Sequence, residues 1–179
     1  MENLKLHRIT NKDDPYLRPL WELYCNAFPE DERRNKEDFL DRLRSDHRSY
    51  YHVILKEGTF IGLIILWKLR EVYYLEHFAI VPEARSNGIG GKVLRNIMEK
   101  GFTPMIGEVE PPVDDIARRR IEFYRRAGFE LYDMEYMQPP YSKDKNSLKM
   151  RVIGRNFDQA KLLETIRELK EVVYQYFDE

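Results

Sequence analysis

Apolar positions along the chain recur at two periods, and the switches between them mark out the elements. Residues 4 to 9 alternate as a first strand. Asp13-Asp14-Pro15 then supplies a cap and a first-turn proline for a helix whose buried face is Trp21, Tyr24 or Cys25, and Phe28. Pro29 stops that helix. The charged turn Glu30-Asp31-Glu32-Arg33-Arg34 leads into a second helix with Phe39, Leu40 and Leu43 as its apolar stripe. Residues 50 to 55 and 59 to 69 are rich in β-branched and aromatic side chains and flank Lys56-Glu57-Gly58, which predicts an antiparallel hairpin. Arg70-Glu71 turns into residues 72 to 81, a run apolar on both faces as a central strand requires.

The second half alternates strand and helix. Residues 88 to 100 form a helix buried through Val93, Leu94, Ile97 and Met98, and residues 105 to 110 form a strand ended by Pro111-Pro112. Asp114 or Asp115 caps the next helix, in which Ile116, Arg120, Phe123, Tyr124 and Ala127 share a face, and Gly128 suits a left-handed C-terminal cap. Residues 129 to 137 and 148 to 153 read as two strands joined by a polar loop at 139 to 146. A final helix, 158 to 177, carries Leu162, Leu163, Ile166, Leu169, Val173 and Tyr176 or Phe177. It packs on its own domain or on a second subunit, which leaves a homodimer open. The expected fold is α+β or mixed α/β, one domain over residues 1 to 179 with 155 to 179 as a helical extension.

Between the central strand and the helix that follows it lies Arg85-Ser86-Asn87-Gly88-Ile89-Gly90. Gly88 and Gly90 lack a Cβ, so the backbone there can take positive φ and bring successive N–H groups to a ligand. The helix adds its unpaired N–H groups and the positive end of its dipole, which makes an anion site suited to phosphate. A dinucleotide fingerprint needs glycine where Val93 stands, and a Walker A loop needs Ser or Thr there, so both spacings fail.

Composition narrows the partners. Among 179 residues, 30 basic and 31 acidic side chains nearly cancel to a formal net charge of −1, which points away from nucleic acid and from an anionic membrane. No apolar run approaches membrane length. A single cysteine, Cys25, forms no internal disulfide and reads as core packing, and the amino terminus shows no signal region, so a reduced, cytoplasmic setting is expected. His7, His47, His52 and His77 show no metal-ligand spacing, and no metal is expected.

Arg-x-x-Gly-x-Gly opening a helix after a strand and Val81-Pro82 resembles the pyrophosphate-binding motif of the GCN5-related N-acetyltransferases. Arg120-Ile121-Glu122-Phe123-Tyr124-Arg125-Arg126-Ala127-Gly128-Phe129 resembles that family's second motif, in the family's order, with the strand at 105 to 110 between. The resemblance covers about residues 1 to 153 and is specific over 76 to 129. It implies a central mixed, mostly antiparallel sheet flanked by helices. It further implies an acetyl-CoA-dependent N-acetyltransferase acting on a primary amine of a small molecule or protein, by direct attack without a covalent enzyme intermediate. A non-catalytic acyl-CoA sensor or scaffold is the alternative. The acceptor amine is unidentified by sequence.

By the same resemblance, backbone groups of Phe78, Ala79, Ile80 and Val81 hold the pantetheine arm and the acyl oxygen, and Arg85, Ser86, Asn87, Gly88, Ile89, Gly90, Gly91 and Lys92 receive the pyrophosphate. Tyr124 matches the family tyrosine assigned as general acid, and a phenol, protonated at neutral pH, suits that task. For the base, Glu76 leads: by alternation it shares a face with Phe78 and Ile80, and a carboxylate in an apolar strand is costly unless used or paired. Glu110 and Glu108 follow. His77 falls on the opposite face unless a bulge re-aims it. Arg33 and Arg34 either meet an acidic group of the acceptor or belong to a solvated loop.

Overall fold

The computed structural model describes residues 3–85 and 88–176. Among the described residues, eight strands and five α-helices follow one another as β1 (Leu4–Ile9), α1 (Leu17–Ala27), α2 (Lys36–Ser45), β2 (Ser49–Lys56), β3 (Thr59–Lys68), β4 (Tyr73–Ile80), α3 (Ile89–Glu99), β5 (Met105–Val109), α4 (Asp115–Arg126), β6 (Glu130–Leu131), β7 (Tyr136–Gln138), β8 (Leu148–Arg155) and α5 (Leu162–Leu169). A π-helical turn, Lys170–Tyr174, continues α5. The strands run in the order β1-β2-β3-β4-β5-β8-β6, with β7 beside β8, and among the described residues β4 and β5 are the one parallel pair. This is the expected mixed, mostly antiparallel sheet with an added C-terminal helix.

Two apolar layers cover the sheet. On one face α1, α2 and the tail bury Leu20, Tyr24, Phe39, Trp67, Tyr74, Leu169 and Tyr174; on the other, α3 and α4 bury Ile64, Leu75, Val93, Leu94, Ile97 and Ile121. Caps set the helix starts. The Asn35 side chain accepts from Asp38 N and the Asp114 side chain from Ala117 N, each satisfying a first-turn donor that the helix leaves unpaired.

Several boundaries and faces differ from the sequence reading. The Asp14 carboxylate accepts from Tyr16 N, and α1 opens at Leu17, turning Leu20, Leu23 and Tyr24 inward while Cys25 is half-buried. Helix α4 buries Ala117 and Ile121 and leaves Ile116 out, one position round from the expected face. The strand expected at 129 to 137 is two short pieces. Leu163 and Tyr176 are exposed, and Phe177 lies outside the described residues. The tail packs on its own chain: Leu162, Ile166, Leu169, Val173 and Tyr174 all join the layer beneath α1 and α2.

Two irregularities in β4 position the site. First, its parallel pairing with β5 runs only from Tyr73↔Met105 to Leu75↔Gly107, and beyond Leu75 the strands diverge. Second, its register with β3 passes from Leu66↔Leu75 to Ile65↔His77, so Glu76 is an extra residue, a β-bulge. One inserted residue reverses the alternation beyond it. Glu76 and His77 therefore both face α1, and Phe78 and Ile80 turn to the α3 layer, which separates Glu76 from the two residues with which alternation had grouped it.

Candidate active site

Where β4 and β5 part, a cleft of about 750 Å³ opens. Its walls are the free edge of β4, the glycine turn, the α4 residues Arg119, Arg120, Phe123 and Tyr124, the end of β5 with Glu108 and Glu110, and an outer rim of Phe28, Glu32, Gln138 and Tyr141.

The β4 edge has donors to spare. Val81 N donates to Ile61 O at 2.9 Å, so this amide is committed to β3. Donors alternate between the two sides of a strand, which commits Ala79 likewise and turns the N–H groups of Phe78 and Ile80 toward the cleft. Of the four residues expected to hold an acyl carrier, two thus have amides free on the open edge. Arg85 closes that edge: its Nε donates to Ile80 O at 2.8 Å.

At the glycine turn, Gly88 takes φ +69 and is the N-cap of α3. Arg85, Gly88, Ile89 and Gly90 line the cleft, Ile89 with its side chain in the core. A Cβ on Gly90 would stand 3.1 Å from the Phe123 ring, so the small residue lets α4 close against the turn. Lys92 is on the exposed side of α3, and neither it nor Gly91 is among the residues that line the cleft. Ser86 and Asn87 lie outside the described residues.

Tyr124 is half-buried on the cleft wall between Phe123 and Phe129. Burial, with a smaller contribution from Glu110, outweighs the Arg120 charge and pushes its phenol up to about 12, so it stays protonated at any ordinary pH.

The three carboxylates differ sharply. Glu76 is sealed: it accepts from Arg34 Nη1 on one oxygen and from Trp67 Nε1 at 2.8 Å on the other. Burial would raise its pKa, but the Arg34 charge, with His77 beside it, holds it well below the usual carboxylate range. Glu110 is paired with Arg120 at the cleft mouth. Glu108 faces the cleft and carries three donors on one oxygen: Oε2 accepts from Tyr74 Oη at 2.9 Å, Tyr174 Oη at 2.8 Å and Gln138 Nε2 at 2.7 Å. Its pKa lies above the usual range because burial outweighs the lowering influence of the neighbouring Tyr136, Tyr174, Tyr74 and Gln138 side chains. Glu32, on the rim, is raised too, by burial and then by Glu110.

Arg34 belongs neither to a solvated loop nor to an acceptor-binding face. It is 1% exposed, with Nη2 on Val173 O at 2.7 Å, Nε near Asp38 at 3.0 Å, and its guanidinium over the rings of Trp67 and Tyr141. Arg33 Nε donates to Phe28 O, and the loop after β7 is tied to the same segment by Lys145 on Glu30 O and Asn146 on Asp31. Gln138 and Tyr174 were not expected here: Gln138 follows the strand expected to end at residue 137, and Tyr174 lies off the apolar stripe expected for the final helix.

Residues 17–129 match the profile of the acetyltransferase (GNAT) family, a span that takes in both motifs and the cleft. The chain belongs to the GNAT family. As a GNAT protein it is an acetyltransferase that depends on acetyl-CoA. A candidate GNAT acetyltransferase from Bacteroides thetaiotaomicron has a solved structure similar to it, with TM-score 0.90 and 34% identity over 97% of this chain and 99% of that one. A candidate acetyltransferase of Bacillus subtilis (strain 168), YjbC, is 22% identical over 89% of this chain and 83% of its own length. A GNAT acetyltransferase from Elizabethkingia anophelis, solved with acetyl-CoA bound, shares the fold at TM-score 0.59 and 15% identity, over 87% of this chain and 99% of that one. Among the described residues no helix is long and apolar enough to cross a membrane.

Proposed function

We propose that the cleft transfers the acetyl group of acetyl-CoA to a primary amine, with Glu108 as general base and Tyr124 as general acid. The observation that carries this reading is the divergence of β4 from β5, which leaves two unused amides, a phenol and a carboxylate of raised pKa facing one cavity. The pyrophosphate rests at the glycine turn and the start of α3, where N–H groups and the helix dipole favour an anion. The Phe78 and Ile80 amides hold the pantetheine arm and polarise the thioester carbonyl.

The acceptor enters from the rim of Phe28, Glu32, Gln138 and Tyr141. Its ammonium loses a proton to Glu108, directly or through a water, and the freed nitrogen attacks the acyl carbon. The tetrahedral intermediate then collapses, the carbon–sulfur bond breaks, the thiolate takes the Tyr124 proton, and the second proton lost by the nitrogen restores the Tyr124 phenol through solvent while Glu108 releases its own to solvent. Glu108 suits the base because a raised pKa brings a carboxylate closer to the amine it must deprotonate. Glu76 has both oxygens engaged and a depressed pKa, and serves as a buried anion that fixes Arg34. Glu110, held by Arg120, shapes the mouth.

The test is thiol release from acetyl-CoA with putrescine, lysine and an alanine-terminated peptide as trial amines, with the acetylated product identified by mass. Amine-dependent release that collapses in Tyr124→Phe supports the reading. Release that is independent of amine, or undiminished in the variant, overturns it.

A further inference from the structure

The C-terminal segment beyond residue 155 reaches a carboxylate of the cleft wall. Leu169 and Tyr174 stand five residues apart, a spacing that an α-helix would turn to different sides. The π-helical turn Lys170–Tyr174, hydrogen-bonded i→i+5, takes more residues per turn, and both side chains face inward. The Val173 carbonyl accepts from Arg34, and the Tyr174 hydroxyl sits 2.8 Å from Glu108 Oε2. The same hydroxyl is 2.9 Å from Tyr74 Oη and accepts from Gln138 Nε2 at 2.7 Å. Gln138 thus gives one N–H to Tyr174 and one to Glu108, which turns the tyrosine's own proton toward the carboxylate.

We infer that Tyr174 is a positioning residue for the acyl-transfer reaction: by donating to Glu108 Oε2 it fixes the carboxylate at the cleft wall and leaves Oε1, buried and without a hydrogen-bond partner among the described residues, to take the acceptor's proton. This inference rests on Glu108 being the base. The groups that face Glu108 are Tyr74 from β4, Tyr136 and Gln138 from β7, Tyr141 from the loop after it, and Tyr174. Glu110 lies two residues on along the same chain. None of these is a cation, so the neutral donors are what favour the charged form of Glu108, and each donor removed raises its pKa.

The test is the pH dependence of kcat/KM, using acetyl-CoA and whichever trial amine is acetylated fastest. In Tyr174→Phe the acidic limb is expected to move to higher pH, so that the loss on that limb exceeds the loss on the plateau roughly threefold or more. Replacing Tyr174 by 3-fluorotyrosine keeps the ring and strengthens the donor, and the limb is expected to move to lower pH. Packing alone would not give opposite signs. In a Glu108→Gln background, Tyr174→Phe should change the pH profile no further. If Glu108→Gln keeps the wild-type limb, the assignment of the base fails and this inference fails with it. If Glu108→Gln abolishes the limb but neither Tyr174 variant moves it, or both lose rate equally at every pH, the inference alone is overturned.

Discussion

The Arg34 guanidinium and the Glu76 carboxylate form an ion pair with side-chain exposures of 1% and 0%, joining the α1–α2 connection to the bulge of β4. Removing one member of such a pair strands the other charge in a dry interior. Arg34→Met should therefore cost about 3–5 kcal/mol at neutral pH by urea unfolding, and Arg34→Met combined with Glu76→Gln should cost less than the single change. The sign with pH follows from the depressed Glu76 pKa. Its contribution is present above the unfolded value of 4.5 and is lost as pH falls below that toward the folded value. Wild type should lose this stability on acidification below about pH 4.5, and the double variant should not.

Glu108 behaves oppositely. With its folded pKa raised, its contribution is fully present below the unfolded value of 4.5 and is lost as pH rises through the folded value. The Tm of Glu108→Gln minus that of wild type should be more positive at pH 8 than at pH 5. A difference that shrinks as pH rises would contradict the raised pKa.

The close approach of α4 to the glycine turn makes Gly90 a probe of cofactor binding. A Cβ there meets Phe123, which itself stacks on Phe78 at 6.2 Å between ring centroids. Gly90→Val should weaken acetyl-CoA about tenfold or more, seen as a smaller rise in Tm at the same ligand concentration.

Tyr124 offers the cleanest separation of binding from chemistry, because deletion of its hydroxyl leaves the ring between Phe123 and Phe129. Tyr124→Phe should lower kcat by about 10²–10⁴ with KM for acetyl-CoA changed less than about threefold.

Local chemistry made much of this readable. The glycine turn, the Asp114 cap and the strand-to-helix switches are decided by neighbours in sequence, and the structure follows them at residues 88 to 126. What pairing partners decide was not readable. The bulge at Glu76 exists because β3 and β4 slip by one residue, and nothing in Leu75-Glu76-His77-Phe78 announces it. Arg34 looks like its neighbour Arg33 until the chain brings it beneath Val173, 139 residues later. Glu108 ranked last among the three carboxylates because the hydroxyls that surround it come from β4, β7 and the tail.

The most direct test of Glu108 as the base uses enzyme saturated with acetyl-CoA and the fastest of the trial amines, with kcat followed across pH in wild type and Glu108→Gln. The expected result is a wild-type rate that climbs an acidic limb to a plateau, and a variant about 10²–10⁴ below that plateau, without the limb and with acetyl-CoA binding retained. A Glu108→Gln enzyme that keeps both the wild-type limb and the wild-type rate would contradict it.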